Sequence, residues 1–124
     1  MARAIAEAEP DHGPVALALD RVARYAGRSL GAQVRGLAGP RAGRAAQQAA
    51  VHRVLSASGF QPRDDGAEVL LTNCPFHALA QAYPSLVCGM SLHLLEGLLE
   101  GMDDLGAYLD PAPDRCCVTI RHRR

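Results

Sequence analysis

The chain has 124 residues, 48% of them apolar and 21% charged, with 13 basic and 13 acidic side chains and a formal net charge of zero. That length suits one domain with one modest core, and the apolar share excludes a disordered chain. Balanced charge supplies no strong field for nucleic acid or an acidic partner, and the all-arginine basic set reads as codon bias in a GC-rich, bacterial genome rather than as chemistry.

The opening "MARAIAEAE" reads as a short helical fragment broken by "PDHGP", as though the chain begins inside a larger protein. From Pro14 the spacing predicts a long amphipathic helix with Val15, Leu19, Val22, Ala26, Leu30, Val34 and Leu37 on one face. "AGPRAG" (Ala38 to Gly43) ends it. "RAAQQAAVHRVLSAS" predicts a second helix with Gln47, Val51, Val54 and Leu55 inward and Gly59 at its C′ position. "FQPRDDGAEVLLTN" predicts a hairpin turning at Asp65-Gly66, and Pro62 makes its first strand an edge.

"PFHALAQAY" predicts a short helix with Pro75 at its first position. Pro84 then restarts the chain. "SLVCGMSLHLLEGLLEGMDDL" predicts a third long helix with Leu92, Leu95, Leu99 and Met102 on one side. "GAYLDPAPD" reads as a short strand and turn, and "RCCVTIRH" as a final strand. The expected fold is α+β, a single domain over residues 1–124, with two to three long helices packed on a small antiparallel sheet. No apolar run reaches the roughly 18 residues of a membrane helix, and the start lacks the apolar core of a signal peptide. A cytoplasmic location without membrane contact follows as the expectation.

In a reducing compartment four cysteines point to metal or redox chemistry rather than structural disulfides. Cys74, before Pro75, is expected at a helix N-cap, where backbone N–H groups and the helix dipole favour thiolate. His77 stands one turn on, and Cys88 near the start of the third long helix. Strand alternation puts Cys116 with Val118 and Ile120 on the inward face and Cys117 with Thr119 and Arg121 on the outward one. Cys74, Cys88 and Cys116 with His77 would make a tetrahedral zinc site. The same three thiolates would equally hold a [4Fe–4S] cluster whose last iron takes another ligand, with Cys117 the rival to His77. The bland alternative is that free cysteine is simply a residue type that is often buried. His93, Glu96 and Glu100 are expected on the wet side of their helix. His12 and His52 are read as solvated, and His122 as part of the basic tail.

"NCPFHALAQAYPSLVCGMSLHLLEGLL" followed by "PDRCCVTI" resembles the C-terminal half of the SufR-type iron–sulfur assembly repressors, over Thr72 to Ile120. The resemblance implies a sensor domain of a winged-helix transcription factor, in which cysteines bind a [4Fe–4S] cluster whose state sets DNA affinity. Carried over by position, Cys74, Cys88 and Cys116 fall on cluster cysteines. No helix-turn-helix with a wing is visible in the chain, so DNA would be reached only through a separate winged-helix domain. The expectation is a non-enzymatic metal- or iron–sulfur-sensing effector domain that forms a homodimer. Its rivals are a small-ligand module with structural cysteines and a cysteine-based redox protein using Cys74.

Overall fold

A computed structural model describes residues 13–66, 68–102, 104–112 and 115–122. The expectations for the opening helical fragment and His12 lie outside the described residues. Helix α1 (Gly13–Ala38) is the longest element, and Gly39, at φ 91°, turns the chain out of it with its N–H on the Arg35 carbonyl at 2.9 Å. Helix α2 (Arg44–Ala57) buries Ala50, Val51, Val54 and Leu55, while Gln47 lies at its half-buried margin. Gly59 stands at C′ with φ 94°, and the Phe60 N–H returns to the Leu55 carbonyl.

Strands β1 (Pro62–Asp65) and β2 (Glu68–Leu71) form the hairpin, with Gly66 at φ 66° in its turn. Helix α3 (His77–Ala82) is short, and α4 (Pro84–Leu98) starts with proline at its first position. Strands β3 (Leu105–Leu109) and β4 (Val118–His122) complete an antiparallel sheet of order β1-β2-β4-β3. The Pro62 strand is an edge, as the sequence requires. Among the described residues no helix is long and apolar enough to cross a membrane.

The α+β architecture is the expected one. Val69 and Leu71 of β2 and Val118 and Ile120 of β4 join Leu95, Leu98 and Leu99 in one core, closed by Leu55, Phe60 and Val34 from the helices. Leu99 and Met102 are buried as predicted, but they follow the end of α4 in a turn that Gly101, at φ 85°, makes possible. Leu92, the first of that predicted side, is only half-buried.

The face that α1 buries meets the predicted stripe only at Val34 and, in part, Leu30. Its buried residues are Ala23, Gly27, Gly31 and Val34, whereas Val15, Val22 and Leu37 are half or more exposed. At 3.6 residues per turn the apolar stripe sits about a quarter turn away from the contact face. The reason is close approach. A Cβ on Gly27 would run into the Leu94 carbonyl of α4, one on Gly31 would stand 2.7 Å from the Leu98 carbonyl, and one on Gly97 would strike the Arg24 carbonyl of α1. Glycine buries no side chain, so a hydrophobic pattern does not find this seam, yet it lets two backbones pack at contact distance.

Candidate metal centre

Three segments carry the four cysteines, all of them free thiols. The first is the loop after β2. Asn73 pins it, its N–H on the Phe60 carbonyl at 3.0 Å and its side-chain amide donating to the Gly59 carbonyl at 2.7 Å. Thr72 donates from both its N–H and its hydroxyl to the Gln61 carbonyl, at 3.1 and 2.7 Å. Gln61 itself adopts φ 51°, a left-handed conformation strained for a side chain of its size. Pro75 packs over Gly59, where an added Cβ would meet the ring at 3.6 Å. Cys74 is thus set by a fixed loop.

It is not a helix cap. Phe76 holds the N-cap position of α3, and the Cys74 carbonyl accepts the His77 N–H at 3.1 Å in the turn before it. Burial pushes the Cys74 thiol up, only partly offset by the Phe76 N–H directed at its sulfur. The expectation of a dipole-favoured thiolate there is therefore overturned, because α3 has six residues and begins too late to point its end at Cys74.

The second segment is α4, which carries Cys88 in its second turn, half-buried. The third is the approach to β4. Cys116 is 1% exposed and shares the core with Val118 and Ile120, as strand alternation predicts. Cys117 departs from the rule. The β2–β4 pairing runs Leu70 with Thr119, so Val118 would face Leu71, yet the Leu71 carbonyl accepts the N–H of Cys116 at 2.8 Å. The ladder has slipped here, the two cysteines precede β4 in bent chain, and alternation no longer drives Cys117 outward. Cys117 packs partly buried against the core instead.

The thiols act on one another's ionisation, Cys116 interacting with Cys117 and Cys74, and Cys117 also with Cys88. The Cys117 donation, joined by the Val118 and Cys117 backbone N–H groups, draws Cys116 down to about 6, against the burial that raises it. Cys117 is pushed far up by holding the shared proton and by burial. Of the pair, Cys116 is thus the thiol drawn toward ionisation and Cys117 the one held protonated. Among the described residues no group of three or more His, Cys, Asp or Glu side chains stands at metal-binding spacing.

His77 is not with them. It is exposed, and its Nε2 lies 3.2 Å from the Gln81 amide nitrogen, one helical turn on. Cys74, Cys88 and Cys116 act on one another's ionisation, and Cys117, whose signal in the sequence was the vicinal pair itself, acts on Cys116 and Cys88.

The four cysteines offer sulfur donors alone, and backbone N–H groups lower the pKa of two of them, Cys116 and Cys74. Such N–H donors stabilise coordinated thiolates and tune iron–sulfur centres. Cys74, Cys88, Cys116 and Cys117 are the residues that would hold the group.

A second polar cluster joins α1 to α4 beside the glycine seam, where solvated side chains were expected. Arg24 donates to Glu96 at 2.7 Å and to the Nδ1 of His93 at 2.9 Å. The Nε2 of His93 faces Asp20 at 3.5 Å, and Arg28 forks onto Glu100 at 2.9 and 3.1 Å. Each such half-exposed pair adds about 0–1 kcal/mol, so its use is to fix the crossing of the two helices. Comparison of the chain with protein-family models, curated proteins and solved structures finds no match.

Proposed function

We propose that this chain is the metal- or iron–sulfur-sensing effector and dimerisation domain of a bacterial transcriptional regulator, with Cys74, Cys88, Cys116 and Cys117 as the ligands. The observation that carries the reading is that four free cysteines on three separate segments act on one another's ionisation, with backbone N–H groups drawing the Cys116 thiol down. The likeness of "NCPF…VCGM…RCCV" to the SufR-type sensor half supports Cys74, Cys88 and Cys116 among these ligands and favours a [4Fe–4S] cluster, with zinc the alternative.

A bound cluster or zinc ion would cross-link the four sulfurs and neutralise their charge. The chain's own residues do the rest. Cys74 is fixed by Asn73 to the α2–β1 connection, and Cys116 and Cys117 by backbone hydrogen bonds to Leu71 and Asp110, while Cys88 is the ligand carried by a helix. Drawing Cys88 toward the sheet would shift α4, and the glycine seam would pass that shift to α1. The exposed flank of α1, Val15, Val22 and Leu37, is where a second copy would pack in a two-fold dimer. The neutral net charge suits a domain that senses while a separate winged-helix domain contacts DNA.

Anaerobic purification and reconstitution with iron and sulfide, followed by metal analysis and a visible spectrum, tests this. The expected result is broad visible absorbance with about four irons per chain for the cluster, or a colourless chain with one zinc. Four free thiols and no retained metal after both treatments would overturn it. Ready conversion to a Cys74–Cys116 disulfide in that case would favour the redox rival.

A further inference from the structure

His93 of α4 lies in the polar cluster beside the glycine seam, with both ring nitrogens facing charged groups. Its Nδ1 is 2.9 Å from Nη2 of Arg24 on α1 and 3.4 Å from Oε1 of Glu96, one turn on. Its Nε2 faces Oδ2 of Asp20 on α1 at 3.5 Å. Among the described residues these three are the charged groups that meet the ring. Arg24 also reaches Glu96 at 2.7 Å and Glu100 at 3.6 Å, and Glu100 is shared with Arg28.

The partners assign the proton. A guanidinium has donors only, so an Arg24 N–H directed at Nδ1 requires a lone pair there. His93 is then neutral, with its one proton on Nε2, the side of Asp20. A second proton has one place to go, Nδ1, where it meets the N–H of Arg24. Two donors cannot share that line, so Arg24 must leave the ring. The imidazolium keeps Asp20 on one nitrogen and takes Glu96, already 3.4 Å away, on the other. Charge permits the exchange. With His93 neutral, the three carboxylates of Asp20, Glu96 and Glu100 outnumber the two guanidinium groups of Arg24 and Arg28, and one added proton balances the group.

We infer that His93 is a proton-operated switch in the α1–α4 crossing. Neutral, it is tied to α1 by Arg24; protonated, it is tied by Asp20, one helical turn nearer the start of α1. The two ties stand at different points of the seam. Arg24 supplies the carbonyl that crowds Gly97, whereas an added Cβ on Gly89 would stand 3.9 Å from the Asp20 carboxylate. Gain of a proton therefore moves the polar anchor along α1. Histidine is the side chain that ordinarily changes charge between about pH 5 and 8. The switch lies in α1 and α4 alone and needs no group bound at the cysteines.

Nitrogen-15 NMR of the reduced full chain, with the His93 signals assigned from His93→Leu, tests the switch together with double-mutant cycles read by urea unfolding. At pH 8 the ring should be neutral and protonated on Nε2. The Arg24→Gln and His93→Leu cycle should there show a coupling of about two- to fivefold in the unfolding constant, the scale of a half-exposed polar pair. At pH 5 the ring should carry both protons and the Arg24 coupling should be lost or change sign. The Asp20→Asn and His93→Leu cycle should then give the larger coupling. All of these side chains are partly exposed, and the proton's position is read on the parent itself. A ring protonated on Nδ1 at pH 8 would overturn the inference, since Arg24 could not then donate to it. A ring still neutral at pH 5 would overturn it as well. Couplings that stay the same at both pH values would do so too, by showing a fixed brace.

Discussion

Gly27 of α1 sits directly against the Leu94 carbonyl of α4, with no room for a methyl group between them. Replacing Gly27 with Ala should therefore force the helices apart. Overpacking costs about 1–3 kcal/mol, against about 1 kcal/mol gained from alanine's helix propensity. A net loss of up to about 2 kcal/mol is expected by urea unfolding. Gly36, on the same helix with open space around it, is the counter-case. Gly36→Ala should stabilise by up to about 1 kcal/mol.

The contrast explains how much of the fold the sequence displays. Turn and cap chemistry is local, so Gly59, Pro62, Gly66 and Pro84 mark their boundaries without reference to the rest of the chain. Strand alternation places Cys116, Val118 and Ile120 correctly. The α1 contact face is not readable in this way, because its key residues are glycines whose value lies in the partner backbone. Cys117 escapes for a related reason. Alternation holds only while the ladder stays in register, and the Cys116 N–H on Leu71 marks where it slips. The Asp20–His93–Arg24–Glu96 cluster needs the tertiary crossing of α1 on α4 before its members meet.

The proposed site takes Cys117 rather than His77 as its fourth ligand. Cys117→Ser should lower metal content as severely as substitution of Cys74, Cys88 or Cys116. His77→Ala should retain metal at the parent stoichiometry, since His77 faces solvent beside Gln81. Iron or zinc analysis of the four cysteine variants and His77→Ala, purified side by side, checks this. Full metal retention by Cys117→Ser would return the fourth position to an outside ligand.

The apolar flank of α1 makes a testable claim about assembly. Val22 is 66% and Val15 50% exposed, and the proposed dimer covers them with a second copy. Light scattering should give twice the mass of one chain at tens of micromolar, a concentration scale of about −6 kcal/mol in binding free energy. Val22→Glu should return the mass to that of one chain without lowering the unfolding midpoint, because Val22 lies outside the monomer's core. An unchanged dimer in Val22→Glu would move the interface elsewhere.

The shared proton between Cys116 and Cys117 gives the reduced, metal-free chain a definite pH response. Cys116 titrates at about 6 in the fold against an ordinary 9.0. Between those values the unfolded chain holds a proton that the native chain has released, so stability rises with pH across the window and is lost as pH falls through about 6. Cys117 and Cys74 are displaced the other way. Above about pH 9 their unfolded thiols ionise while the native ones stay protonated, and their contribution falls. The thiol part of the stability should therefore climb from about pH 6 and turn over near pH 9. Urea midpoints of the parent and Cys116→Ala, measured under reductant across that range, isolate it. The parent's midpoint should gain on the variant's as pH rises, and ultraviolet thiolate absorbance should report about one ionised cysteine per chain near pH 7. A constant gap between the two midpoints from pH 6 to 9 would show that Cys116 keeps its proton and that the pair holds no thiolate.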